Sequence, residues 1–366
     1  MPVKGLNRTF GIPSGSGVQS SVDHSKWDND HVFHDLPDPT GKAPYRVDLA
    51  DILDASEISK IKKAGELIFQ TAGDTGNVRG KFQEEVAALM VADADNSNVK
   101  FFYHLGDVVY DYGEDREYPD QFYDIYKEYN YPILAIPGNH DGARYTGGPD
   151  SLQGFMANFC APEPKMPPSL QKTGRHYGRS TMTEPHCYWT FNTPLCTIVG
   201  LYTNVPSGGD VRDPQDKWFA QELAEAPKNR PLIVAMHHPV HSIAVGSHAG
   251  SKHMDELLKN ACAQAKRIPE FVLCGHVHNY QHFDTIFDKK KPCTFIVAGM
   301  GGHAKDKLKA PGNPNTKIQH EYPVTLKYAT DQHIGFLRVK VTPKSIQCDY
   351  LAVGENQPLD SFTIPV

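Results

Sequence analysis

The stretch Phe271-Val272-Leu273-Cys274-Gly275-His276-Val277-His278-Asn279-Tyr280 joins a short apolar run, a glycine and two histidines two positions apart. The apolar run predicts a buried strand that ends at Gly275. Because side chains at i and i+2 of an extended segment point the same way, His276 and His278 predict a pair of metal ligands at the strand's end. The alternative is a turn with two polar histidines, and ligands elsewhere in the chain decide between the two.

Length and composition indicate a soluble globular protein. The chain has 366 residues, 39% of them hydrophobic and 22% charged, which is enough for one large domain or two average ones. A net charge of −6 gives no electrostatic footprint for nucleic acid. The seven cysteines include no CxxC pair, which argues against a zinc ribbon and a dense disulfide framework. No apolar run approaches the ~18 residues of a membrane span.

The first residues differ in composition from the rest. Residues 1–47 are rich in Gly, Pro, Ser and Asp and predict an irregular arm before a catalytic domain at 48–366. Residues 1–20 show neither the apolar core nor the cleavage site of a signal peptide. We therefore expect a cytoplasmic protein, with export left open, and the oligomeric state stays undecided.

Strands, polar turns and helices alternate from residue 51 onward. Helices are predicted over 51–63, 82–90, 121–129, 151–159, 214–225 and 252–264. Strands are predicted over 67–72, 101–105, 133–136, 187–191, 195–202, 231–236, 271–274, 293–298, 334–342 and 346–353. This alternation predicts an α/β fold with a largely buried sheet, in which a site forms beyond the carboxyl ends of the strands.

Five of the predicted strands end in short polar clusters. These clusters contain residue types that bind metals, namely Asp74, Asp107, Tyr110, Asn139, His237, His276 and His278. Each has an ordinary alternative, because an aspartate after a strand is usually a turn residue or a helix cap, Tyr110 a half-buried aromatic and Asn139 a turn former. Together they supply about the number of ligands that two metals need with positions open for substrate.

The clusters form an ordered series of sequence blocks. In chain order the blocks are Gly73-Asp74-Thr75-Gly76, Gly106-Asp107-Val108-Val109-Tyr110, Gly138-Asn139-His140-Asp141, Val234-Ala235-Met236-His237 and Gly275-His276-Val277-His278. The series resembles the signature of purple acid phosphatases, a branch of the calcineurin-like metallophosphoesterases. The first block lacks the histidine of Asp-x-His and Tyr110 follows Asp107 by three residues, and both details favour the purple branch. The resemblance implies a four-layer α/β/β/α sandwich of two packed mixed sheets flanked by helices.

The resemblance also implies two metal ions. Ferric iron would bind three of the side chains, namely Asp74, Tyr110 and His278. The second metal, Fe, Zn or Mn, would bind Asn139, His237 and His276. Asp107 would bridge the two. A phenolate and carboxylates suit a hard trivalent ion, whereas imidazoles and an amide suit a borderline divalent ion.

The implied reaction is hydrolysis of a phosphate monoester by in-line attack of a metal-bound hydroxide. His140 would stabilise the transition state and protonate the leaving oxygen, and His248 is a second predicted acid. Asn139, His140 and His303 are the predicted contacts to a small phosphorylated substrate. His238 and His241 are interpreted as structural.

Two alternatives remain open on the sequence. A phosphodiesterase or nucleotide pyrophosphatase would use the same metal site, because specificity would come from the loops at 142–185, 204–213 and 303–330. A non-catalytic interaction module with the same fold is the other. One departure concerns Leu201-Tyr202-Thr203, where the family often has an aspartate. It leaves the substrate range open.

Overall fold

Two mixed β-sheets organise the part of the chain that the structure describes. The structure is a computed structural model, and it describes residues 35–76, 82–145, 147–203, 209–245, 248–287, 291–309 and 314–366. Most of the predicted N-terminal arm lies outside these residues, so the division between arm and catalytic domain stays a prediction. In the described ranges, the helices are too short or too polar to cross a membrane.

The larger sheet has nine strands among the described residues. In spatial order they are β1 (Arg46–Asp48), β5 (Trp189–Asn192), β6 (Thr197–Gly200), β7 (Leu232–Met236), β8 (Phe271–Cys274), β10 (Lys291–Ala298), β9 (Tyr280–Phe287), β12 (Val324–Thr330) and β11 (Thr316–Ile318). Strands β6, β7, β8 and β10 run parallel to one another. Their carboxyl ends therefore lie along one edge of the sheet.

The smaller sheet has six strands in the described ranges. Their order is β15 (Asp360–Pro365), β14 (Ser345–Ala352), β13 (Gly335–Val341), β2 (Leu67–Ala72), β3 (Phe102–His104) and β4 (Ile133–Ala135). Strands β2, β3 and β4 are parallel, and β13, β14 and β15 form an antiparallel extension beside β2. This second sheet thus adds three further strand ends that can carry polar side chains to a common edge.

Alternation along the strands separates two hydrophobic cores. Phe69 on β2 and Ile233 on β7 belong to the core between the sheets, whereas their neighbours Ile68 and Val234 face the helices. Because both faces are covered, the parallel strands β2, β3, β4, β6, β7 and β8 consist entirely of buried residues, as in other α/β sheets. Each fully buried side chain of this size stabilises the fold by about 1.5–3 kcal/mol.

Helices cover the outer faces of both sheets. The described helices are α1 (Ala55–Ala64), α2 (Phe82–Ser97), α3 (Asn139–Gly142), α4 (Gln153–Phe159), α5 (Pro168–Thr173), α6 (Gln215–Glu225) and α7 (Lys252–Ala265). Met90 of α2 packs in the outer core with Ile68, and Phe219 of α6 packs there with Val234. The four-layer α/β/β/α sandwich expected from the sequence is confirmed.

The predicted helix over 121–129 is wrong. The chain instead forms a short π-helical turn at Pro119–Tyr123 and then further turns. The backbone hydrogen bonds span fewer residues further along this segment. Asp124 N donates to the Pro119 carbonyl, five residues back, whereas Tyr129 N donates to the Tyr126 carbonyl, three residues back. Buried aromatic rings produced the helical spacing in the sequence, but they pack around a turn and not along a helix.

Candidate metal centre

The predicted ligands converge from both sheets onto one edge. Asp74, Asp107 and Asn139 follow the parallel strands β2, β3 and β4 of the smaller sheet. His237 follows β7 and His276 follows β8 of the larger sheet. These side chains are almost completely buried, each 7% exposed or less. A fold in which two sets of parallel strands end at the same place therefore brings together residues far apart in the sequence.

Three of these residues have an unusual backbone conformation. Asp74, Asp107 and His276 have φ values of 58°, 55° and 70°, in the left-handed region that residues other than glycine seldom adopt. Each such residue costs of order 1–3 kcal/mol unless the surrounding structure holds it. Hydrogen bonds do so here, from Asp74 N to the Gly106 carbonyl (2.9 Å) and from His276 N to Asp74 Oδ2 (2.8 Å).

Gly138 permits the closest approach in the centre. A Cβ atom on Gly138 would lie 2.2 Å from Asp107 Oδ1 and 2.7 Å from His237 Cε1. Any larger residue would therefore push apart the strand ends that carry these ligands. The glycine before Asn139 in the third sequence block is thus required by packing.

One set of donor atoms surrounds the Tyr110 hydroxyl. Its oxygen lies 2.9 Å from Asp107 Oδ2, 3.4 Å from Asp74 Oδ1 and 3.4 Å from His278 Nε2. His278 Nε2 is 3.5 Å from Asp74 Oδ1. Ligand atoms of Asp74, Asp107 and His278 all lie within 4.8 Å of one another. This set matches the three ligands and the shared carboxylate predicted for the first metal.

A second set surrounds the Asn139 side-chain oxygen. Asn139 Oδ1 lies 3.0 Å from His237 Nε2 and 2.9 Å from His276 Nδ1. His237 Nε2 is also 3.4 Å from Asp107 Oδ2. The same Asp107 oxygen thus contacts one member of each set, Tyr110 in the first and His237 in the second.

Hydrogen bonds orient the histidines of the centre. His237 Nδ1 donates to the Leu105 carbonyl at 2.8 Å, which leaves Nε2 directed at Asp107 and Asn139. His140 Nδ1 donates to the Asp111 carbonyl at 2.8 Å. Because a carbonyl only accepts, each bond places a proton on Nδ1 of the ring. Such outer contacts are the usual means of orienting metal-binding histidines.

The electrostatics favour a bound cation. Burial raises the pKa of Asp74, and among the described residues its ion-pair partners are histidines. Burial lowers the pKa of His237, but Asp107 and Asp74 outweigh it and raise the net pKa to about 9. Burial likewise opposes charge on His278, whose pKa Asp306 and Asp74 raise to about 9. Protons on these histidines balance the buried carboxylates, and a metal ion would replace them.

The phenol of Tyr110 points to the same conclusion. Burial, followed by the charges of Asp107 and Asp74, raises its pKa well above the ordinary value. A phenolate here therefore needs a cation within bonding distance. Buried oxygen and nitrogen donors in two sets, joined by one carboxylate, fit the two metal ions expected from the sequence.

Asp306 is a residue of the centre that the sequence did not reveal. Its Oδ2 accepts from the His278 backbone N at 2.9 Å and lies 2.7 Å from His248 Nδ1. Burial opposes the charge of Asp306, but the bond from His248 and the charge of His278 hold its pKa well below the usual range. Asp306 therefore links a predicted ligand to a predicted acid. It belongs to no sequence block and lies 28 residues after His278, so no local signal could have identified it.

Asp141 ties two ligand loops together. Its carboxylate accepts from Gly138 N at 2.8 Å and Val108 N at 3.1 Å. These amides flank Asn139 and Asp107, so one carboxylate fixes the spacing between both ligands. Burial, then the nearby charge of Asp107, raises the pKa of Asp141 to about 7. The sequence placed Asp141 in the third block without giving it a role.

The remaining predicted residues lie around the two sets. The His248 ring is 4.9 Å from the His276 ring and 5.8 Å from the His278 ring, measured between centroids. The His140 and His303 rings both contact Tyr110. The structure thus brings all ten predicted site residues into one cluster.

Two further histidines, in the segment that follows β7, lie outside the ligand sets. His238 Nδ1 is 2.5 Å from Thr203 Oγ1. His241 Nε2 is 3.2 Å from the Tyr322 hydroxyl. The His238 ring also lies 4.3 Å from the His276 ring, so the structural role suggested for these two histidines stays a prediction.

Two packed mixed sheets with a buried cluster of metal-binding side chains at their edge define a metal-dependent phosphoesterase architecture. The calcineurin-like phosphoesterase family model matches residues 72–280, and the chain belongs to that family. Within the family, purple acid phosphatase 21 of Arabidopsis thaliana is 26% identical over 199 residues, which are 51% of this chain and 41% of that protein. The resemblance to the purple acid phosphatase branch is thereby confirmed.

Solved structures share the fold at low sequence identity. A purple acid phosphatase from yellow lupin (Lupinus luteus) seeds superposes with a TM-score of 0.59 at 17% identity, covering 82% of this chain and 54% of that one. The protein GAP50, described as the anchor in the inner membrane complex of Plasmodium, gives 0.56 at 14% identity over 82% and 89%. A dimetal phosphatase from Danio rerio gives 0.50 at 11% identity over 82% and 98%. These likenesses concern the fold.

Proposed function

We propose that this protein is a dinuclear-metal phosphatase of the acid phosphatase type that hydrolyses phosphate monoesters. The observation that carries the proposal is the position of Asp107 Oδ2, which contacts Tyr110 Oη at 2.9 Å and His237 Nε2 at 3.4 Å. A carboxylate between two donor sets is the arrangement that a bridged metal pair needs. A single-metal site would not require the second set.

The ligands divide by chemistry as well as by position. Asp74, Tyr110 and His278 would hold ferric iron, because a phenolate and a carboxylate suit a hard trivalent ion. The second set, Asn139, His237 and His276, would hold Fe, Zn or Mn. When bound, the metals supply an activated water for in-line displacement and neutralise the charge that develops on the phosphoryl group.

The residues around the metals would act on a small phosphorylated substrate. His140 Nδ1 donates to the Asp111 carbonyl, so Nε2 is the nitrogen that would carry the proton transferred to the leaving oxygen. Its backbone N donates to Asp107 Oδ1 at 2.9 Å, which ties its position to the bridging carboxylate. His248, held by Asp306, is the second candidate acid. Asn139 and His303 complete the proposed substrate contacts.

The anchor protein among the structural neighbours keeps a second candidate open. Because GAP50 has this fold and is described as an anchor, the fold is compatible with a non-catalytic interaction module. The convergence of two complete donor sets favours catalysis. A phosphodiesterase or nucleotide pyrophosphatase on the same site is the third candidate, and only substrates separate it from a monoesterase.

Metal analysis combined with a substrate panel tests the proposal. The purified full chain should contain two metal ions per chain and turn over an aryl phosphate in preference to a bis-aryl phosphate and a nucleoside diphosphate. A His282→Gln variant is a suitable control, since His282 is buried outside the centre. Turnover of the diester alone would establish a phosphodiesterase. Absence of retained metal and of turnover would favour the interaction module.

A further inference from the structure

Two imidazoles contact the Tyr110 ring. His303 stacks on it with a centroid distance of 3.5 Å and an interplanar angle of 8°. His140 contacts it at 4.2 Å with a tilt of 41°. The centroids of the two imidazoles are 6.5 Å apart. The parallel stack is closer than the roughly 4.5–7 Å usual for aromatic pairs.

The His303 ring is fixed independently of Tyr110. Its Nδ1 donates to the Gly76 carbonyl at 2.6 Å, and its backbone N donates to the Asp74 carbonyl at 3.0 Å. Both acceptors belong to the loop that carries Asp74. His303 is therefore held against the phenol by the same segment that provides a ligand of the first donor set.

The glycine turn before His303 makes this position possible. A Cβ on Gly301 would lie 2.3 Å from the Gly73 carbonyl oxygen, and Gly302 has a φ of 125°. The turn therefore presses directly on the Asp74 loop, and it directs the next side chain over Tyr110. The glycine-rich stretch therefore allows the stack to form.

We propose that His303 is a positioning residue that fixes the plane of the Tyr110 ring and so aims the phenol oxygen at the first metal. This role rests on the proposed dinuclear site, but His303 contributes no ligand atom to it. A stacked ring opposes rotation of the phenol and keeps water from that face. Water that reached the oxygen would hydrogen-bond to a phenolate, stabilise it and raise the energy of charge transfer to iron.

The first test is spectroscopic and uses the iron-loaded full chain. We expect His303→Ala to move the phenolate-to-iron absorption maximum to shorter wavelength and to weaken it. His303→Phe keeps a stacking ring without the hydrogen bond to Gly76, and we expect it to retain the wild-type maximum. A wild-type spectrum in His303→Ala would overturn the proposal, as would an equal shift in His303→Phe.

The second test needs no metal and so separates this proposal from the proposed function. Ring flipping of Tyr110 can be followed by NMR in the metal-free protein with labelled tyrosine, using Tyr110→Phe to identify its signal among the 17 tyrosines. We expect slow flipping in the wild type and in His303→Phe, and fast flipping in His303→Ala. Equal rates in all three would refute the positioning role. A colourless iron-loaded wild type would refute iron binding by Tyr110, but it would leave the positioning role of His303 untouched.

Discussion

The metal centre and a second cluster both combine histidine, aspartate and a tyrosine hydroxyl, but the second cluster lacks two features of the metal centre. The second, called here the inter-sheet cluster, consists of Tyr280, His282, Asp284 and Asp360. In both, a tyrosine hydroxyl donates to a carboxylate at 2.9 Å, Tyr110 to Asp107 and Tyr280 to Asp360. Residue type therefore does not distinguish them.

Burial of the carboxylates does distinguish them. The side chains of Asp74 and Asp107 are 0% and 1% exposed, whereas those of Asp284 and Asp360 are 51% and 14% exposed. A carboxylate that stays hydrated needs no further partner to be charged. A buried carboxylate must instead be paired with a cationic group or must bind a metal. Burial of the anion, more than burial of the histidine, marks the site for a cation.

Backbone conformation separates the clusters as well. Asp74, Asp107 and His276 adopt left-handed φ values in loops beyond strand ends. His282 and Asp360, in contrast, belong to the regular strands β9 and β15 of the two different sheets. Strain of this kind collects at functional sites, where other contacts hold it. The inter-sheet cluster instead joins two sheets, at no cost in backbone strain at these two residues.

The largest expected effect is that of Asp107→Asn. This change keeps the shape but removes the charge that both donor sets share, so both metals should be lost together and activity should fall to background. Elemental analysis of the purified variant, with phosphatase assays beside it, measures this outcome. Retention of one metal at full occupancy would contradict the bridging role of Asp107.

His140→Ala should have a smaller effect. The His140 side chain is absent from both donor sets, so the metals should stay bound. Loss of a proton donor at the leaving oxygen should slow turnover by ~10²–10⁴-fold. Metal content and kcat measured on the same preparation check both statements, and an unchanged rate would remove His140 from the mechanism.

The ligand positions could be predicted because each depends on its own short segment. Asp74 and His237 directly follow apolar strands, and such strand ends meet in parallel sheets. The contacts that orient the ligands could not be predicted in this way. Asp306 reaches His248 across 58 positions, and the stack of His303 on Tyr110 depends on two loops that the sequence does not connect.

The fold shows the same limit. Strands with continuous apolar runs, such as β7, were predicted nearly to the residue, whereas β9 was missed because His282 and Asp284 interrupt its pattern. His282 meets Asp360 across 78 positions. The prediction of a helix over 121–129 was wrong for a related reason. The spacing of buried aromatic residues does not specify whether the backbone forms a helix or a series of turns. The local sequence pattern therefore predicts strands such as β7, whereas β9 and the turns at 121–129 depend on tertiary contacts.

His282→Gln should destabilise the protein without affecting the metals. The variant weakens the contact of His282 Nδ1 with Asp360 (2.9 Å), which links β9 to β15, and the contact of Nε2 with Asp284 (3.5 Å) within β9. Disturbing a buried hydrogen-bonded group of this kind costs about 1–3 kcal/mol of unfolding free energy. Urea unfolding measures the loss, and metal content and kcat should match the wild type. Loss of metal in this variant would contradict the separation of the two clusters.

The smallest expected effect is the pH dependence of that loss. Burial opposes charge on His282, but Asp284 and Asp360 outweigh it and raise its pKa above the ordinary value. A raised folded-state pKa stabilises the protein fully below the unfolded value of about 6.5, and this contribution disappears as the pH rises through the folded pKa. The difference in unfolding free energy between wild type and His282→Gln should therefore be larger near pH 6 than near pH 9. Both proteins are compared metal-free, so that His237 and His278 titrate alike in each and cancel from the difference.

A difference in unfolding free energy that grows with pH would show that His282 is held neutral. The inter-sheet cluster would then be a hydrogen-bond network without an ion pair.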